Sequence, residues 1–189
     1  MKQKKIISLL LILILTITLS GCGSNTVKKE NEKDKKPINN NNTLYDKGYL
    51  EVLEEDTKNM EKMTCTRQGN GINGAKANLN YTLYYQGEYL QILHSKEQVL
   101  TTNQDILTEY QNAYINIYKN YENLKYYETS IVREEGSVTN DTIINYSKLD
   151  TNKLLEIEGE EDNIIKDGKV KLDDWLKFAE KLGTTCEKN

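Results

Sequence analysis

Past its first fifty or so residues, the chain is organised by two hydrophobic periods. From Met60 the period is two, with Glu61, Met63, Cys65 and Arg67 on one side and Met60, Lys62, Thr64 and Thr66 on the other, which predicts a strand. A glycine-rich loop ends it. Leu79, Tyr81, Leu83 and Tyr85 repeat at the same period, and residues 89–93 resume it after Gln86 and Gly87, the signature of a hairpin. Between residues 102 and 123 the period lengthens, so that Ile106, Leu107, Tyr110, Ala113, Tyr114, Ile117, Tyr118 and Tyr121 fall on one face of an amphipathic helix. Thr102 and Asp105, three positions apart, have the spacing of a capping box at its start.

The β-branched and aromatic runs 124–133 and 138–147, joined at Glu135 and Gly136, predict a second hairpin. An acidic loop, 158–162, precedes a compact last helix with Asp173 as N-cap, with Trp175, Phe178, Ala179 and Leu182 on one face, and with Gly183 at the C′ position. Residues 184–186 read as a short closing strand. Residues 44–59, with acids at 54–56 and scattered Leu50, Val52 and Leu53, read as a loosely helical lead-in. The expected fold is α+β in two layers: an antiparallel sheet of two hairpins plus terminal strands, packed on one long central helix and a short C-terminal helix. Its single domain is expected over 60–189.

The start of the chain follows another pattern. Lys2, Lys4 and Lys5 precede an apolar run over residues 6–19, interrupted only by the hydroxyls of Ser8, Thr16 and Thr18, as in a secretory signal peptide. The run is shorter than the roughly 20 apolar residues that a spanning helix needs. Leu19, Ser20, Gly21 and Cys22 match the lipobox of bacterial lipoproteins, so residues 1–21 are expected to be a lipoprotein signal and Cys22 the lipidated residue. A thiol is needed there because the lipid is joined as a thioether, and two or more acyl chains suffice for stable anchoring. Residues 22–43 are Lys, Glu, Asn and Ser with almost nothing to bury, which predicts a disordered polar tether behind the lipid. The expected location is the cell membrane, lipid-anchored and facing outside the cytoplasm.

Charge sharpens the division. The 189 residues carry 25 Lys and Arg against 29 Asp and Glu, a formal net charge of -4. That figure divides into +3 for residues 1–21, +2 for 22–43 and -9 for 44–189. So acidic a folded part makes a nucleic-acid partner improbable, since such surfaces need clustered Lys and Arg. With 1 His and 1 Pro, the composition argues against a multi-histidine metal site and a proline-rich adaptor.

Four features of the sequence bear on chemistry. Gly69, Gly71 and Gly74 spell a dinucleotide-binding fingerprint, but a strand pattern follows where the fingerprint needs a helix N-terminus. A hairpin loop is expected instead. His94, the single imidazole, has no nucleophile motif to accompany it and reads as an ordinary strand residue. The acidic stretch 158–162 with Asp167 and Gly168 fails as a calcium loop, because that register puts Ile165 at a ligand position. No catalysis, metal or cofactor is therefore expected. Once Cys22 is assigned to lipid, Cys65 and Cys186 are left, an even remainder that in an extracytoplasmic domain reads as a disulfide between first and last strands. Two free or buried thiols are the alternative.

Thirteen Tyr against 1 Phe is the oddest feature of the composition. Tyr81, Tyr85, Tyr110 and Tyr114 fall on core faces, where a ring is buried while its hydroxyl reaches a partner. Tyr84, Tyr126 and Tyr127 are the candidates for an exposed contact surface.

The lipobox, the polar tether, Met63-Thr64-Cys65-Thr66 on a first strand, the paired strands, the Tyr-rich helix and the closing helix running into Leu182-Gly183 and Cys186 together resemble the small YehR-like lipoproteins of bacteria. The resemblance covers about residues 60–188. It implies a compact α+β domain outside the cell membrane and carries no activity or catalytic residue. The expected protein is thus a monomeric, membrane-anchored lipoprotein with a non-catalytic domain that binds an unknown protein or small ligand. The alternative is an accessory subunit docking on a cell-envelope membrane complex. A concave pocket would favour a ligand, and an apolar patch of several hundred Å² a partner.

Overall fold

The computed structural model describes residues 47–161 and 163–188; Cys22 and the segments expected as signal and tether lie outside them. In the lead-in only Glu54–Thr57 (α1) forms a helical turn, and the rest is an irregular strap. The expected loose helix gives way because acceptors on the sheet take the strap's backbone donors. Lys47 N donates to Ser130 Oγ at 3.2 Å and Leu50 N to Asp141 Oδ2 at 3.0 Å. Lys148 forms an ion pair with Asp56 further along. The segment read as a lead-in is therefore packed against the domain.

Period-two alternation builds Glu61–Asn70 (β1), Lys76–Gln86 (β2) and Tyr89–Leu100 (β3) into an antiparallel meander. The turn between β1 and β2 explains two of its glycines. Gly74 has φ +80, and a Cβ on Gly71 would lie 2.5 Å from Tyr110 Oη, the oxygen that accepts from Ile72 N at 2.9 Å.

Gln104–Tyr118 (α2) then crosses the sheet. The expected capping box is replaced by Asn103, whose side chain accepts from Asp105 N and Ile106 N. The helix is also shorter than expected, tightening into a 3-10 turn over Lys119–Tyr121. The second hairpin, Tyr127–Glu134 (β4) and Ser137–Asn145 (β5), begins later than its sequence pattern because Tyr126 adopts φ 69 and breaks the extended run.

Three elements have no counterpart in the sequence reading. They are Thr151–Glu158 (α3), capped by Asp150, and the two short strands Ile165–Lys166 (β6) and Lys169–Lys171 (β7). Because β7 leads straight into Leu172–Lys181 (α4), the cap position falls on Lys171 rather than Asp173 and has no side-chain cap. Leu172 N instead donates to Glu88 O at 2.9 Å. Gly183, with φ 79, follows the C-cap as expected, and Thr185–Lys188 (β8) closes the chain.

The described strands form one open antiparallel sheet whose main path is β4-β5-β3-β2-β1-β8, with β7 pairing the start of β3. The architecture is α+β. One sheet face carries the core: Leu79, Tyr81, Leu83, Leu93, Ile131, Val138 and Ile144 meet Ile106, Leu107, Tyr110, Tyr114 and Tyr118 of α2. Trp175 of α4 packs edge-on against Tyr81, with ring centroids 5.5 Å apart. The tyrosine rings fill this core while two of their hydroxyls reach backbone groups, Tyr110 Oη accepting from Ile72 N and Tyr114 donating to Glu97 O at 3.5 Å.

Candidate functional site

The sheet face opposite α2 is divided in two. Over β3, β4 and β5 it is covered by the strap. Beneath the strap Asp141 is fully buried and accepts from His94 Nε2 at 2.7 Å and Leu50 N at 3.0 Å, with Lys96 Nζ at 3.4 Å. His94 is thus held by a carboxylate beneath the strap, where Ser130 stands directly opposite Asp141 and accepts from Lys47 N. Between strap and sheet lies a cleft of about 180 Å³ lined by residues including Val52, Asp56, Ile92, Tyr126, Ile143 and Asn145. Pockets for small molecules run to roughly 300–1,000 Å³, so this one is too small for such a ligand.

Over β1, β2 and β8 no described residue covers the same face. Direct cross-strand pairs in register are Lys62 with Tyr84, Thr64 with Thr82, Thr66 with Asn80 and Gln68 with Asn78. On its far side β1 pairs Thr66 with Thr185 and Thr64 with Glu187 of β8. Period-two alternation puts all these side chains on one side, while Cys65, Leu79, Tyr81 and Leu83 between them point into the core. The side chains of Thr66, Gln68, Asn78, Asn80 and Thr82 make no hydrogen bond to any described residue. Asn is depleted from strands, so two of them in the middle of β2 oppose local propensity. A local rule broken on a rigid, exposed element is where function is expected.

Charge is also unusual there. The β1 and β2 positions of this face carry Lys62 and Lys76 at their two ends and no carboxylate, although residues 44–189 sum to -9. Glu187 stands at the β8 margin. The face is therefore a flat, nearly neutral array of amides and hydroxyls, ended by the Tyr84 ring with Lys62 Nζ 5.9 Å from its centroid. Burial raises the Tyr84 phenol above its ordinary pKa, so the ring stays uncharged.

The expected contact tyrosines part company. Tyr84 lies on the open face. Tyr126 lines the small cleft, with Lys125 and Lys148 against its ring. Tyr127 is a correction: it is buried in the core, stacked on Tyr121 at 4.5 Å, because the break at Tyr126 sets β4 in a register that turns position 127 inward. The amide and hydroxyl array was missed by the sequence reading, although the alternation of Asn78, Asn80 and Thr82 with apolar neighbours was its available signal.

Cys65 and Cys186 form a disulfide, with Cα atoms 3.9 Å apart. It lies on the core side of β1 and holds β8 beside the open face. Cys22 lies outside the described residues.

One buried group has no role at this face. Glu97, on the core side of β3, is separated from Arg67 by Leu79 in the cross-strand row, and its Oε1 has no hydrogen-bond partner. Burial pushes its carboxyl up to about 8, with the Arg67 charge opposing the shift. Arg67 instead donates to Leu182 O at 2.7 Å.

These features define an α+β protein with one open and one covered half on the outer face of its sheet. No family model matches the chain. No curated protein matches it either. Two solved structures are similar: the NMR structure of Escherichia coli YehR, at 14% identity and TM-score 0.47 over 69% of this chain and 94% of that one, and the NMR structure of a protein from Streptococcus pneumoniae TIGR4, at 12% identity and TM-score 0.46 over 88% and 100%. Both likenesses are distant.

Proposed function

We propose that this protein is a lipid-anchored extracytoplasmic binding module, without catalysis, that presents the open half of its outer sheet face to a ligand. The observation that carries the reading is the set of five uncommitted amide and hydroxyl side chains on that face, Thr66, Gln68, Asn78, Asn80 and Thr82. They stand on strands whose other side is fixed by the core and by the disulfide, so the backbone that carries the array is already in place before a ligand arrives. The lipobox at Cys22 supports the anchor.

The accessory-subunit alternative has less behind it. The exposed large apolar side chains among the described residues are Tyr49 and Leu53 on the strap, short of the contiguous patch that a stable protein interface uses.

Two experiments test the reading. Cys22→Ala is expected to release the protein or to leave an unprocessed precursor; a mutant that stays processed and membrane-bound overturns the anchor. A photo-crosslinking residue at Asn80 is expected to capture envelope material in intact cells, and the same residue at Asn116, on the exposed side of α2, is not. Capture from position 116 and none from position 80 overturns the binding face.

A further inference from the structure

We infer that the core between the sheet and α2 encloses a bound-water site, in which water joins Glu97 Oε1 to Asn140 Nδ2 and reaches Ser95 Oγ and Arg67 Nη2. The site goes beyond the binding-module reading and does not depend on it.

Its placement follows from register. Arg67, Leu79, Glu97 and Asn140 stand side by side on β1, β2, β3 and β5, in one cross-strand row. Ser95 precedes Glu97 by two residues on β3 and so shares its face. Directly opposed side chains have Cβ atoms about 4.5–5.5 Å apart, and two steps along a strand cover about 7 Å. Glu97, Asn140 and Ser95 are therefore immediate neighbours on the core side, and the Arg67 charge reaches Glu97 past Leu79. Above them lies α2, from which Tyr114 donates to Glu97 O.

The four named atoms are all buried, and none has a hydrogen-bond partner among the described residues. Ser95 and Asn140 are fully buried and Glu97 nearly so, which makes each unmade bond costly. Bonds made by the neighbouring atoms fix which ends are uncommitted. Thr142 Oγ1 donates to Asn140 Oδ1 at 3.4 Å, leaving the amide nitrogen, and Arg67 Nη1 donates to Leu182 O at 2.7 Å, leaving Nη2.

Water matches this set in number and sense. Arg67 Nη2 and Asn140 Nδ2 only donate, whereas Glu97 Oε1 and Ser95 Oγ can each take a hydrogen. A buried water makes about three hydrogen bonds, from donors and to acceptors together. It also satisfies the Glu97 carboxyl in the protonated form that burial favours. A cation is opposed by the Arg67 guanidinium. An anion is not called for, because the Arg67 charge is already met by Leu182 O at the C-terminal end of α4.

The test is a crystal structure of the full chain, extracted in detergent, at a resolution that shows ordered water, paired with 17O magnetic relaxation dispersion, which counts long-lived internal waters. Density is expected within hydrogen-bond distance of both Glu97 Oε1 and Asn140 Nδ2. Ser95→Ala should keep it. Asn140→Leu should lose it, and the dispersion amplitude should fall by about one long-lived water. If Asn140→Leu does not fold, Glu97→Met takes its place, being apolar and adaptable in shape, and the same loss is expected. A direct Glu97–Asn140 bond with no density between them overturns the site. So does an anomalous signal there after a bromide soak, which would mark an anion, or an unchanged dispersion amplitude in the folded apolar variant.

Discussion

Cys65 and Cys186 stand directly opposite one another in the β1–β8 pair, and the disulfide between them joins positions 121 residues apart. β8 has only four residues and occupies the edge of the sheet, so few backbone bonds hold it. Closing so long a loop restricts the unfolded chain, and its loss should cost about 2–5 kcal/mol. We expect the Cys65→Ser, Cys186→Ser double variant to unfold at a clearly lower urea concentration than the oxidised protein, with faster amide exchange at residues 185–188. An unchanged midpoint would show that β8 is held without the bond.

Glu97 makes the core pH-dependent. Its carboxyl is protonated in the folded state up to about pH 8, because burial outweighs the charge of Arg67, while in the unfolded chain it ionises near 4.5. Between those values unfolding releases a proton. Stability from this group therefore falls as pH rises through the window, by up to about 1.4 kcal/mol per pH unit, and levels off above about 8. Glu97→Gln should match the wild type near pH 4 and be more stable at pH 7 and 9, judged by urea midpoints. If the difference between the two proteins does not grow with pH, Glu97 is not the responsible group.

Asp141 anchors the strap. It is fully buried and accepts from His94, Lys96 and the backbone of Leu50, so its removal leaves the half-buried His94 without its carboxylate and frees the covering segment together. Asp141→Ala should cost about 3 kcal/mol and expose residues 47–58 to limited proteolysis before the sheet unfolds. Cleavage no faster than in the wild type would mean that the strap is held elsewhere.

Legibility followed the range of the interactions. The period-two runs from Glu61 and from Leu79 gave the meander, and the face from Ile106 to Tyr118 gave the helix, because burial against one neighbour imprints a local repeat. Elements held by unlike contacts were not legible. The strap shows no period because its backbone is satisfied by side chains more than eighty positions away, at Ser130 and Asp141. The pair β6 and β7 is too short for a pattern, and α4 starts without a side-chain cap because Glu88 supplies an acceptor. Of the tyrosines proposed for contact, Tyr127 was misplaced because its inward turn depends on the φ of 69 at Tyr126, which the residue type does not announce.

By itself, then, the sequence determined the α+β class, the existence and order of the two main hairpins and the tyrosine face of α2, all consequences of local periodicity and composition, but not how far the strands run, since β3 continues to Leu100. Cysteine parity pointed to the disulfide. Only the tertiary structure decided which half of the outer sheet face is covered. The strap lies over β3, β4 and β5 because buried acceptors there bind its backbone, and Asn78, Asn80, Thr82, Thr66 and Gln68 are left open because β1 and β2 offer it none. A contact surface of that kind is set by long-range pairing and register, which no window of neighbouring residues contains.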